Sequence, residues 1–154
     1  MLAVFDIDGV VADVRHRLHH LEAPKSWPAF FRAADQDALL ATGARLVAEL
    51  ARQHEIVWLS GRPAWLRGTT ADWIARHSLP GTEMHLRPAR DHRPARLFKV
   101  EVLQRLAPRG VAAFVDDDPE VVSAAATAGF PALLADWVAR EPAMRDAQER
   151  LGRT

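Results

Sequence analysis

Short apolar runs ending in polar clusters alternate along this chain with longer stretches whose apolar residues recur at helical spacing. Residues 2–5, 56–59, 84–86, 112–115 and 132–134 read as strands. The first, second and fourth are unbroken apolar runs, the pattern of parallel strands covered on both faces. Helical periodicity covers residues 42–53, 64–77, 95–106 and 119–128. A last stretch, 136–150, is interrupted or restarts near Pro142. This alternation predicts an open, doubly wound α/β sheet flanked by helices.

Residues 13–41 fit the alternation poorly. They hold three close histidines, His16, His19 and His20, and an aromatic cluster of Trp27, Phe30 and Phe31. The expectation is a small helical insertion beside or over the site, within a single domain spanning residues 1–154, a length suited to one core. Helical spacing favours a minor hydrophobic core for the aromatics, with base stacking as the alternative. Zinc is a minor alternative for the histidines, since no fourth ligand is evident. The stretch from Trp137 to Leu151 reads as a packing helix with a charged outer face.

Ligands of doubly wound sheets bind beyond the carboxyl ends of the strands. Asp6 and Asp8 follow the first strand, Ser60-Gly61-Arg62 the second, and Asp116-Asp117-Asp118 the fourth. Residues two apart on an extended strand end point the same way, so Asp6 and Asp8 can face one cavity, and Gly9 then permits a tight turn. One carboxylate can attack phosphorus while the other protonates the leaving oxygen and later activates water. Two close anions need a cation or a proton between them. Oxygen ligands from Asp6, Asp117 and a backbone carbonyl would suit Mg²⁺. Asp118 is a plausible N-cap with Pro119 at the first helical position, a role that leaves Asp116 and Asp117 unexplained. The Ser60 hydroxyl and nearby N–H groups, including that of Gly61, could hold a phosphate, and Arg62 could add a bidentate contact. Ser60 lacks the G-x-S-x-G surroundings of a nucleophile elbow.

Composition narrows the choices. The chain is 154 residues long with 20 basic and 20 acidic side chains, a balance that argues against non-specific coating of DNA or membrane. It has no cysteine, which excludes a disulfide framework, a thiolate zinc site and a cysteine nucleophile. No run has the apolar length of a membrane span, and the short apolar start leads straight into Asp6, which argues against export; a reducing cytoplasm fits. Only Lys25 and Lys99 are lysines. A lysine at 99 on an amphipathic helix would ordinarily be solvated; reaching the cavity, it would pair with Asp6 and offset the repulsion there.

Asp6-x-Asp8, Ser60, Lys99 and Asp116-Asp117, in that order, resemble the four motifs of haloacid dehalogenase-like (HAD) phosphatases. The resemblance implies a HAD-like Rossmannoid three-layer sandwich and a phospho-aspartyl intermediate on Asp6. It further implies Asp8 as general acid and base, and Mg²⁺ held by Asp6, the Asp8 carbonyl and Asp117 with Asp116 in support. A narrower likeness joins Ser60-Gly61-Arg62-Pro63-x-x-x-Arg67-x-x-Thr70-x-x-Trp73, Leu86-Arg87-Pro88, Asp91-x-Arg93-Pro94 and Lys99 to the 3′-phosphatase domain of polynucleotide kinase/phosphatases. Arg17, eleven residues after Asp6, stands where that family has a phosphate-contacting arginine. Val10 replaces the usual threonine, and Ala95 stands where an aspartate is common.

The expected substrate is therefore a phosphomonoester, with the 3′-phosphate end of DNA or RNA favoured and Arg17, Arg62, Arg67 and Arg87 as phosphate contacts. A mononucleotide or other small phosphate ester is the alternative, and a silent phosphate-binding scaffold is a third reading, opposed by the presence of both Asp6 and Asp8. These residues contain no G-x-x-x-x-G-K-[ST] phosphate loop and so no kinase half of that type, which leaves open a separate kinase or ligase partner.

Overall fold

Alternate residues of the first strand, β1 (Leu2–Phe5), go to opposite faces of a sheet and into two separate cores. In this computed structural model, which describes all residues 1–154, β1 is the central strand of a five-stranded parallel sheet. Short β2 (Ala12–Asp13) and β3 (Ala38–Leu39) pair antiparallel and bracket residues 14–37. Between them lie a 3-10 turn at Arg15–Leu21, α1 (Trp27–Arg32) and a second 3-10 turn at Ala33–Gln36. The chain continues through α2 (Ala41–Leu50), β4 (Glu55–Pro63), α3 (Arg67–Arg76), β5 (Glu83–Arg87) and α4 (Ala95–Leu106). It ends with β6 (Val111–Asp116), α5 (Pro119–Thr127), β7 (Ala132–Leu134) and one α-helical turn, α6 (Pro142–Arg145), leading into a π turn at Asp146–Arg150.

The strand order is β5-β4-β1-β6-β7, so the chain runs outward on one side of β1 and then on the other. Phe5 lies level with Trp58 of β4 and Val115 of β6. Ala3, Phe5, Ile56, Trp58 and Val115 pack with Val47 of α2 and with Trp73 and Ile74 of α3. On the opposite face Leu2, Val4, Val57, Leu59 and Phe114 pack with Phe98, Val102 and Leu103 of α4 and Val121 and Ala125 of α5. The result is the three-layer α/β/α sandwich expected of HAD-like proteins. Truncating a fully buried side chain such as Phe5 to alanine would cost roughly 3–5 kcal/mol.

Two elements differ from the sequence reading. The second strand continues through Ser60, Gly61 and Arg62 to Pro63, because Ser60 still pairs with Leu86 and Pro63 with Arg87 after an irregular register. A 3-10 turn at Ala64–Leu66 then precedes α3, so the α-helix begins at Arg67 rather than at residue 64. The stretch 136–141 is not helical. There the Trp137 indole donates to the Val10 carbonyl (3.0 Å), and Arg140 is committed to Asp118 and Gln148. A third core of Val14, Leu21, Phe30, Phe31, Ala34, Leu66 and Met144 joins the 14–37 segment to α6. No helix is long and apolar enough to cross a membrane.

Candidate active site

Asp6 extends β1 by one residue, its N–H donating to the Val115 carbonyl (2.9 Å). Its carboxylate is fixed at both oxygens. Oδ1 accepts from the Ile7 N–H (2.6 Å) and Oδ2 from Lys99 Nζ (2.6 Å). The chain then turns back on the Ile7 carbonyl, which accepts from the N–H groups of Val10, Val11 and Ala12. Gly9 makes the turn possible with φ +76°, and a Cβ there would overlap the Asp117 carboxylate. The glycine thus lets Asp117, the residue after β6, sit against the backbone of the turn that follows β1.

Asp8 Oδ1 accepts from Arg62 Nη2 (2.6 Å), Arg62 Nε (3.0 Å) and Arg17 Nη2 (3.0 Å). Asp8 Oδ2 is buried and has no hydrogen-bond partner. A second acid, Asp37, balances the two arginines. It accepts from Arg17 Nε (2.8 Å), Arg17 Nη2 (2.9 Å) and Arg62 Nη2 (3.0 Å), and His16 Nε2 lies 2.7 Å from it. Thr70 Oγ1 accepts from Arg62 Nη1 (3.2 Å), and the Phe30 carbonyl from Arg17 Nη1 (3.4 Å). A guanidinium has five N–H donors, so each arginine keeps one uncommitted. A bidentate contact from Arg62 to phosphate would have to displace one of its present acceptors, Asp8, Asp37 or Thr70. Burial pushes the Asp8 carboxyl up, but the Arg62 and Arg17 charges outweigh it and hold the group below the usual carboxylate range.

Lys99 is fully buried, on the inward face of α4, and its ammonium bridges Asp6 and Asp116, the latter at 2.7 Å. Burial disfavours its charge, yet Asp116 and Asp6 more than offset this and raise its pKa. Asp116 Oδ1 also accepts from the Asp118 N–H (3.0 Å). Asp118 caps α5, accepting from the Glu120 N–H (2.9 Å) with Pro119 at the helix start. Asp6, Asp116 and Asp117 each bring a carboxylate oxygen to within 4.8 Å of the others. Asp117 is raised well above its ordinary value, by burial and then by Asp116 and Asp6. Asp116 is pushed up to about 7 by burial, against the pull of Lys99. One buried lysine leaves these three acids short of positive charge.

The structure therefore brings Asp6, Asp8, Lys99, Asp116, Asp117, Ser60, Arg62 and Arg17 to one end of the sheet. The Ser60 hydroxyl is fully buried and accepts from the Arg62 N–H (3.4 Å), while Gly61 lies against the Thr154 backbone. Arg67 and Arg87 make no hydrogen bond to this group, although Arg87 donates to the Thr154 carbonyl beside Gly61. Arg67 donates to the Met84 carbonyl (3.0 Å) at the edge of β5. Arg87 donates to the Arg93 carbonyl (2.8 Å) and borders a cleft of about 420 Å³ with Trp27, Phe31, Trp65 and His92. Phe30 and Phe31 are buried in the third core, while Trp65 is 57% exposed. The histidines do not converge, since His16 turns to Asp37 while His19 and His20 lie ring to ring. Sequence reasoning missed Asp37, Arg140 and Gln148. Asp37 sits in the segment without periodicity, and no spacing relative to Asp8 would have marked it. Thr70 stood inside the quoted motif without a role; its hydroxyl supports Arg62.

Residues 1–135 match the protein family described as "Polynucleotide kinase PNKP phosphatase domain". Among solved structures, the chain is similar to one in a Pnkp1/Rnl/Hen1 complex, with TM-score 0.69 and 24% identity. That match covers 86% of this chain and 45% of the other, so this chain spans less than half the length of that relative. It is also similar to a haloacid dehalogenase-like hydrolase from Streptococcus pneumoniae, at TM-score 0.63 and 12% identity over 97% of this chain and 91% of that one. A class C acid phosphatase from Bacillus anthracis matches at TM-score 0.60 and 16% identity, over 82% and 59%. At these identities the likeness is one of fold. No curated protein matches the chain.

Proposed function

Because this chain belongs to the family of polynucleotide kinase phosphatase domains and is a HAD-type phosphatase, we propose that it hydrolyses 3′-phosphate ends of nucleic acid through an Asp6 phospho-enzyme. The observation that carries this reading is the pairing of a Lys99-bound Asp6 with an Asp8 whose second oxygen is buried and unpartnered. An Asp6 oxygen attacks phosphorus, the bond to the leaving oxygen breaks, and Asp8 supplies the proton that oxygen takes up. Asp8 then accepts a proton from the water that attacks the phospho-aspartate, releasing phosphate and restoring Asp6. Arg17 and Arg62 aim Asp8, and each keeps one N–H without a protein acceptor. The Ser60 hydroxyl, near the carboxyl end of the neighbouring strand β4, would help to hold the phosphate.

The donor set fits Mg²⁺. It consists of oxygen ligands alone, drawn from acids that burial and mutual repulsion leave in need of a cation. Asp6, the Asp8 carbonyl and Asp117 would hold the ion, with Asp116 tied back by Lys99 and the Asp118 N–H. Bound there, Mg²⁺ would neutralise charge on the transferring phosphoryl group.

The polynucleotide substrate is supported by the cleft beside Arg87, where the exposed Trp65 offers a ring that a base could stack on. Residues 1–154 act as one domain in this reading, with kinase or ligase steps left to a separate partner. Neutral net charge keeps a small phosphate ester as the second reading. The test is phosphate release with Mg²⁺ from a 3′-phosphorylated oligonucleotide beside the matching 3′-mononucleotide. Preference for the oligonucleotide, lost with EDTA and absent in Asp6→Asn, is the expected result. Equal or better cleavage of the mononucleotide would move the function to small-molecule metabolism. No release from either would sink the catalytic reading.

A further inference from the structure

The segment after β7 lies outside the family match, which ends at residue 135, yet it reaches the acid cluster. Gln148 is 2% exposed, and its Nε2 donates to Asp117 Oδ1 at 3.3 Å. Its Oε1 accepts from Arg140 Nη2 (2.6 Å) and Nε (3.2 Å). Arg140 in turn pairs with Asp118 Oδ2 at 3.0 Å. A chain of contacts therefore runs from the α5 cap through Arg140 and Gln148 to Asp117. Arginine has no acceptor and a carboxylate no donor, so these partners permit only one orientation of the Gln148 amide. Asp117 is gripped on its other side by the Gly9 turn.

We propose that Gln148, anchored by Arg140, is a positioning residue for Asp117 and so sets the affinity of the site for its cation. The inference rests on the reading of Asp117 as a ligand. A neutral donor suits the task. It fixes the carboxylate's rotation without cancelling the charge the cation needs, as an arginine or lysine at the same place would. Ligating carboxylates are generally hydrogen-bonded in turn, and losing such a partner costs roughly 10–100-fold in metal affinity. The Met144 contacts in the third core and the Trp137 bond to Val10 fasten the segment that carries both residues.

The test is Gln148→Met, which keeps the buried volume and removes the donor, beside Arg140→Met, which removes the anchor. Mg²⁺ is titrated two ways, by calorimetry without substrate and by phosphate release from an aryl phosphate. Both variants should need roughly 10–100 times more Mg²⁺ for half-saturation in both titrations, with kcat at saturating Mg²⁺ close to that of the unaltered protein. Circular dichroism melts in EDTA identify a variant that has lost its fold, and the other variant then decides. Unchanged Mg²⁺ curves in a folded variant would overturn the proposal and leave the phosphatase reading intact. Absence of Mg²⁺ binding by the unaltered chain would overturn both.

Discussion

In the proposed mechanism Asp8 carries two opposite demands. It must give a proton when the leaving oxygen departs and take one when water attacks. Arg62 and Arg17 outweigh its burial and hold it ionised, which favours the second task. Asp8→Asn should therefore separate substrates by their need for acid help. With a nitrophenyl phosphate, the variant should release about one equivalent of nitrophenol per site in a burst and then stall at the phospho-enzyme. With an alkyl phosphate, the first step itself should slow by roughly 10²–10⁴-fold, the usual worth of a positioned acid or base, and no burst should form. Quench-flow kinetics would show both, and steady turnover of nitrophenyl phosphate without a burst would remove Asp8 from the second step. At this scale, acids at strand ends were legible because three strand ends carry polar clusters together, more than chance usually supplies. Asp37 was not legible. Its importance depends on two arginines that approach it from residues 20 and 25 positions away in the chain.

At the scale of the elements, the site depends on how two turns pack. Gly9→Ala would force a Cβ into the Asp117 carboxylate and hold an L-residue at φ +76°. The backbone term alone should cost about 1–2 kcal/mol, and the displaced carboxylate should lose Mg²⁺ as well. Gly68→Ala is the contrast, because a Cβ at this position of α3 meets nothing within 4 Å. It should leave activity unchanged and stabilise by up to about 1 kcal/mol. Urea unfolding with and without Mg²⁺ checks both; equal Mg²⁺ stabilisation of Gly9→Ala and the unaltered chain would refute the close packing of the two turns. The elements themselves were largely readable, and α4 and β7 have the predicted bounds. The exceptions have one cause. β4 runs on to Pro63 because β5 offers partners, and residues 136–141 leave the helix because Trp137 and Arg140 are bound elsewhere. Local periodicity records neither partner. The C-terminal stretch therefore read as packing alone, whereas its Gln148 touches the acid cluster.

For the molecule as a whole, the buried acids set how stability varies with pH. Asp6, Asp37, Asp116, Asp117 and Glu149 are all raised, chiefly by burial, with Asp116 and Glu149 pushed up to about 7. The folded chain then holds protons that the unfolded chain has released, from about pH 4 upward. Where the native state binds more protons, stability falls as pH rises, by about 1.4 kcal/mol per pH unit for each proton of difference. The contribution of Asp116 and Glu149 is thus fully present below the ordinary carboxylate value and lost as pH passes through about 7, and the other three act in the same direction. Asp8, Asp13, Glu83, Asp91 and Asp146 are lowered and act in the opposite sense, but only below about pH 4 to 5. His20, lowered and exposed, opposes the trend weakly near its own range. In EDTA the melting temperature should therefore decline from about pH 5 to pH 7.5. Saturating Mg²⁺ should flatten or reverse that decline, because the cation binds the ionised acids and its stabilisation grows as they ionise. Asp37 and Glu149 stand outside the proposed ligands, so a residual slope from them should survive Mg²⁺. Melting scans at several pH values, with EDTA and with Mg²⁺, decide the matter. Parallel curves in the two conditions would mean that the acids repelling one another at the end of the sheet are not where the cation binds.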